Sequence, residues 1–94
     1  MDERRQDSRI QIERHAVLFE DAGSATPVRI VEASRNSVGV ELYGRTSLAV
    51  GDSVRIKIRE AEVTGEITRF ECLRPNTMQL GIRLIKGDLF RLLS

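Results

Sequence analysis

Hydrophobic and polar residues alternate with a period of two along most of this chain. Val54, Ile56 and Ile58 alternate with Arg55, Lys57 and Arg59, the pattern of a strand with one buried and one solvated face. Leu80, Ile82 and Leu84 alternate with Gly81 and Arg83 in the same way. Val63, Gly65 and Ile67 open a further run, but Phe70 falls on the opposite parity, which predicts a bulge or bend between Ile67 and Phe70. Segments 11–20, 27–33 and 38–43 are strand-like with less regular alternation.

Turn-forming residues separate these runs. Asp21-Ala22-Gly23-Ser24 closes the first, and Ser34-Arg35-Asn36-Ser37 divides the next pair. Val50-Gly51-Asp52 precedes the fourth, and Arg74-Pro75-Asn76-Thr77 predicts a hairpin between the last two. Only the tail changes period. Gly87-Asp88 followed by Leu89-Phe90-Arg91-Leu92-Leu93 predicts a short helix over 88–93 capped by Asp88. Its apolar residues would either cap the core or offer a stripe to a partner. Short strands at this spacing argue for an all-β barrel or sandwich, and in so short a chain closure into a barrel removes exposed strand edges most completely.

Length and composition narrow the class. Ninety-four residues predict one domain, with 1–9 as an N-terminal arm and 10–85 as the barrel. The longest apolar run, Ala16 to Phe19, is far below the roughly 20 residues of a membrane span. The opening Met1-Asp2-Glu3-Arg4-Arg5 lacks the apolar stretch of a secretory signal, and Cys72 has no second cysteine to pair with. Both observations lead to the expectation of a cytoplasmic protein without membrane contact. A net charge of +1 supplies no general field for DNA, RNA or anionic lipid. Small barrels that bind single strands stack bases on aromatic rings, and this chain has only Phe19, Tyr43, Phe70 and Phe90.

Catalytic signals are sparse. His15 is the single histidine and has no evident partner as general base or metal ligand. Cys72 has no neighbouring histidine and reads as structural. No phosphate-binding glycine loop, nucleophile elbow or metal-spaced cluster is present. The expectation is a binding protein, not an enzyme, with no cofactor.

Two polar features remain. Arg5 and Arg9 lie four apart in an arm otherwise balanced by acidic residues. In an extended arm they would stand about 13 Å apart on one side, spanning a ligand, whereas a folded arm would let them converge. Arginine suits phosphate oxygens and the O6/N7 edge of guanine, though a solvated terminus accounts for the same residues. The second feature is the turn Glu32-Ala33-Ser34-Arg35-Asn36-Ser37. Its carboxylate suits the N1–H and N2–H₂ edge of guanine, and Ser34 with turn amides suits a phosphate; read alone, the segment is better explained as an ordinary Ser/Asn-rich turn.

Taken together, Arg5-x-x-x-Arg9 and Glu32-x-Ser34-x-x-Ser37 resemble the paired RxxxR and [D/N]xSxxG motifs of the PilZ family of cyclic-di-GMP receptors. The likeness extends over Val28-Arg29-Ile30-Val31, Leu48-Ala49-Val50-Gly51-Asp52 and Leu80-Gly81-Ile82-Arg83-Leu84, and so over nearly the whole chain. The resemblance implies a six-stranded antiparallel β-barrel whose arginine arm lies over one face. It implies that Arg5 and Arg9 contact guanine and phosphate and that Ser34 hydrogen-bonds the ligand. Arg4, directly before the motif, resembles family members that take an intercalated ligand dimer. Glu32 stands in place of the family's Asp or Asn, moving the carboxylate by roughly 1.5 Å. Ser37 stands in place of its glycine, which would cost roughly 1–2 kcal/mol if that position needs φ > 0. The function so implied is a bacterial second-messenger receptor that relays cyclic-di-GMP to a protein partner. The alternative is an adaptor of the same fold that has lost the ligand and works by protein contact, including as a homodimer.

Overall fold

The chain, described by a computed structural model over residues 10–21, 23–44 and 46–93, forms a closed antiparallel barrel of six strands. The strands are β1 (Ile10–Glu20), β2 (Ala25–Ala33), β3 (Ser37–Tyr43), β4 (Ser53–Ile58), β5 (Ala61–Arg74) and β6 (Thr77–Lys86). A five-residue helix, α1 (Leu89–Leu93), follows. Around the ring the order is β1-β2-β3-β6-β5-β4, and pairing of Val17–Glu20 with Val54–Lys57 closes it.

Alternation decides which side chains turn inward. Leu18, Ile30, Val40, Leu42, Ile56, Ile67, Leu80 and Ile82 are fully buried, while Arg55, Lys57 and Arg83 between them are exposed. The predicted phase break in β5 is present: Ile67 pairs with Ile82 and Arg69 with Gly81, so Thr68 is an extra residue. A second bulge interrupts β2, where Ile30 pairs with Val40 and Glu32 with Gly39, leaving Val31 extra. Sequence alone gave no turn between β4 and β5. Arg59 and Glu60 make it, with Arg59 at φ 56°, a strained position without the usual glycine or asparagine.

The β3–β4 connection joins strands that are not neighbours and is pinned at both ends. Leu48 is buried in the core, Ala49 N–H donates to Asp52 Oδ2 at 2.9 Å, and Gly44 N–H donates to the Asn76 carbonyl at 2.8 Å. Its far end docks on β5: Gly51 N–H donates to the Ile67 carbonyl, and Ile67 N–H donates to the Asp52 carbonyl. Ile67, immediately before the β5 bulge, is therefore fixed by backbone bonds on that side.

The tail packs as a cap. Gly87, at φ 110°, lets the chain turn so closely over β5 that a Cβ there would lie 2.8 Å from Val63 Cγ1 and 2.9 Å from the Glu62 carbonyl oxygen. Asp88 then caps α1, its carbonyl accepting from Leu92 N–H at 3.0 Å. Leu89 and Leu92 join the core, and Leu93 packs against it; the side chain of Phe90 lies outside the description. Among the described residues no helix is long and apolar enough to cross a membrane.

This packing sets a stability contrast measurable by urea denaturation. Leu92→Ala is expected to lower the unfolding free energy by about 2–5 kcal/mol, as a large core truncation does. Ile85→Ser, on an exposed outer position, should stay within about 0.5 kcal/mol of wild type. A Leu92→Ala loss as small as that of Ile85→Ser would contradict the capping role.

Candidate functional site

One row of residues crosses four strands on the outside of the barrel. Register places Glu32 (β2) beside Gly39 (β3), Gly39 beside Gly81 (β6), and Gly81 beside Arg69 (β5). The inward neighbours Val38, Val40, Leu80 and Ile82 fill the core, so the two glycines sit on the outer face with no side chain. Glu32 and Arg69 lean over the gap from either side. A Cβ at Gly39 would fall 2.8 Å from Glu32 Cγ, and one at Gly81 would fall 3.2 Å from Arg69 Cβ. Neither glycine has positive φ, so what they provide here is close approach of the Glu32 and Arg69 side chains to the sheet.

The result is a concavity of about 250 Å³ lined by β3 and β6 at Gly39 and Gly81, with the Glu32 and Arg69 side chains lying against the two glycines. Glu32 and Arg69 flank it, Ser34 and Ser37 close one end, and Thr68 sits on the β5 side, donating from Oγ1 to the Gly81 carbonyl at 3.3 Å. Arg69 Nη2 and Glu32 Oε2 are 3.8 Å apart, an ion pair too long for a hydrogen bond. Both side chains retain access to solvent, Arg69 more than Glu32.

The serine end is rigid. Ser34 N–H donates to the Ser37 carbonyl at 2.8 Å, and the two hydroxyls share a 2.8 Å hydrogen bond. Leu84 N–H donates to the Asn36 carbonyl at 2.7 Å, tying the turn to β6. Ser34 is nearly buried, and both serines line the concavity. Neither Asn36 nor Ser37 has positive φ, so serine in place of the motif glycine carries no backbone strain here. The structure thus brings together Glu32, Ser34 and Ser37. Arg4, Arg5 and Arg9 lie outside the described residues. The first described residue, Ile10, pairs with Ala33, between Glu32 and Ser34.

Gly39, Thr68, Arg69 and Gly81 were not singled out from sequence as site residues. The break of parity before Phe70 marked the right segment of β5, but only cross-strand register shows that Arg69 faces Glu32.

Elsewhere on the outer face, Arg29 is committed to structure. It bonds Glu41 Oε1 at 2.7 Å and Glu13 Oε2 at 2.6 Å, while its Nε is buried without a partner. The Glu41 hydrogen bond, then the nearby Tyr43, raise its pKa above the usual arginine value, so it stays charged. His15 is exposed beside Arg29 in the register, and Cys72 is exposed near the end of β5. Among the described residues no three His, Cys, Asp or Glu side chains are grouped to hold a metal ion. Compared with models of known protein families and with curated protein sequences, the chain matches none.

The two arginines should behave differently on substitution. Arg69→Ala removes only a long, solvent-accessible pair and is expected to leave stability within about 1 kcal/mol of wild type. Arg29→Ala removes two short bonds and leaves Glu41 largely enclosed, so its urea midpoint should fall clearly below that of Arg69→Ala. Equal midpoints would contradict this division between structural and available arginines.

Proposed function

We propose that this barrel is a receptor for cyclic-di-GMP that binds the ligand on the Gly39–Gly81 floor and acts through a protein partner, without catalysis. The observation that carries the reading is the convergence of Glu32, Ser34 and Ser37, the parts of the second PilZ-like motif, on one concavity. The chemistry suits a guanylate. Glu32 offers a carboxylate to the guanine N1–H and N2–H₂ edge, and the serine hydroxyls offer donors to phosphate.

The size of the concavity supports a role for the arginine arm. Pockets that enclose small molecules usually measure about 300–1,000 Å³. At about 250 Å³ this floor would hold part of a cyclic dinucleotide and leave the rest uncovered. Ile10 pairs with Ala33 at the rim, and the arginine motif directly precedes it in the sequence. On this reading the arm closes over the ligand, and its new surface is what a partner protein detects. Arg4 would add a contact to a second, intercalated ligand molecule.

A second reading has its own support. The Ser34–Ser37 bond and the Glu32–Arg69 pair satisfy these groups from within the protein, as in an adaptor that binds no nucleotide and works by protein contact.

Calorimetric titration with cyclic-di-GMP, using cyclic-di-AMP and GMP as controls, separates the two. The receptor reading expects selective binding at or below about 10 μM, equivalent to about −7 kcal/mol. Arg5→Ala and Arg9→Ala should each weaken it at least tenfold without changing the melting transition. No heat at millimolar ligand would reject the receptor in favour of the adaptor. Binding by Arg5→Ala and Arg9→Ala as tight as wild type would reject the arm's role.

A further inference from the structure

We infer that the free edge of β5 pairs with the same edge of a second copy of this chain, joining two barrels through one continuous sheet. The inference stands apart from the ligand reading. Two features carry it: where β4 stops, and the order of charges along β5.

β5 has 14 residues and β4 has six, so β4 covers only part of its neighbour. β4 pairs with Ala61 to Glu66, and Gly51 and Asp52 just before it bond Ile67. There the Ala49–Asp52 turn, in which Asp52 N–H donates to the Ala49 carbonyl at 3.0 Å, leads the chain away. From Thr68 to Arg74, β5 lies against β6 on one side, and among the described residues no strand pairs with its other side. All of this stretch except the half-buried Phe70 is exposed. An unpaired edge presents a row of N–H and C=O groups, a template for another strand. Exposed apolar residues border it, Leu73 at 44% and Val50 at 60%.

The charges select the occupant. Register to β6 puts Arg69 and Glu71 on the outer face, opposite Gly81 and Gln79, and Phe70 on the inner face, opposite Leu80. When two β5 strands pair antiparallel about a twofold axis, directly opposite residues share a face, so the axis passes through a residue. An axis at Arg69 or at Glu71 sets like charges against each other. An axis at Cys72 sets Glu71 against Leu73 and leaves both charges unmatched. An axis at Phe70 places Arg69 opposite Glu71 of the second copy, twice over, with the two Phe70 rings side by side between them. The sequence Arg69-Phe70-Glu71 is therefore complementary to itself in this arrangement and in no other nearby register.

Both charges are available for it. Glu71 makes no ion pair among the described residues, and Arg69, with 46% of its side chain exposed, reaches Glu32 only at 3.8 Å. Bulges at Thr68 and Leu73 bracket the regular stretch Arg69–Cys72, which keeps the shared ladder short. So small an interface makes the association weak and dependent on concentration.

The test is sedimentation equilibrium without ligand, from about 10 μM to about 1 mM protein, the range of a small interface. Wild type should rise toward twice the monomer mass across that range. Arg69→Glu and Glu71→Arg each set like charges opposite one another and should weaken association about tenfold or more, with the melting transition unchanged. An equimolar mixture of these two variants restores both opposite-charge pairs and should associate as wild type does. Under oxidising conditions wild type should form no Cys72 disulfide, because an axis at Phe70 holds the two Cys72 residues about 14 Å apart. Wild type that stays monomeric at 1 mM overturns the inference. So does either variant associating alone as wild type does, or a mixture no better than its components. A Cys72-linked dimer would move the axis to Cys72 and overturn the charge pairing. None of these results bears on ligand binding.

Discussion

Closure of the ring by β1 against β4 is the constraint from which the remaining features follow. Val17 to Glu20 pair with Val54 to Lys57, and every strand of the ring has a neighbour on each side. Closure also fixes sidedness, since each strand must send alternate residues into one shared interior. Even eight strands leave an interior just wide enough for side chains. Six leave less, and Leu18, Ile30, Val40, Leu42, Ile56, Ile67, Leu80 and Ile82 occupy it completely. The interior of the barrel is therefore packed with side chains, and the concavity described above lies on its outer wall.

On the outer wall of a small barrel the surface is usually convex and studded with side chains. A concavity needs the side chains to be missing at adjacent positions on neighbouring strands, and the Gly39–Gly81 pair does that. The flanking bulges complete it by aiming Glu32 and Arg69 over the gap. These bulges belong to the fold itself. The β5 bulge follows Ile67, whose peptide groups are held by Gly51 and Asp52, and the second motif's turn is bonded across to β6 through Asn36. A floor already in place adds little ordering cost on binding.

Much of this was legible from sequence because strand periodicity is a local property. The alternation of Val54, Ile56 and Ile58 and of Leu80, Ile82 and Leu84 reports their shared inward face directly, and the misplaced Phe70 reports the β5 bulge. Asp88 signalled the start of the final helix. The β4–β5 turn was invisible because Arg59 adopts φ 56° without a turn-forming residue type. The bulge at Val31 was hidden because β2 shows only two inward residues before it. The candidate site was half legible. Glu32, Ser34 and Ser37 share one short segment and were named together, whereas Arg69 meets Glu32 only through a register spanning four strands. The cost anticipated for Ser37 depended on φ > 0, and the turn does not use that conformation.

The central claim is that ligand recognition takes place on the two-glycine floor, and backbone amide chemical-shift mapping tests it most directly. Titrating the isotope-labelled protein with cyclic-di-GMP should move the amides of Glu32, Ser34, Ser37, Gly39, Arg69 and Gly81 together along one binding curve. The amides of Lys57, Glu62 and Arg91, on the opposite strands and the terminal helix, should stay in place. Shifts centred on β4, β5 near Glu62 and α1, with Gly39 and Gly81 unmoved, would contradict the account.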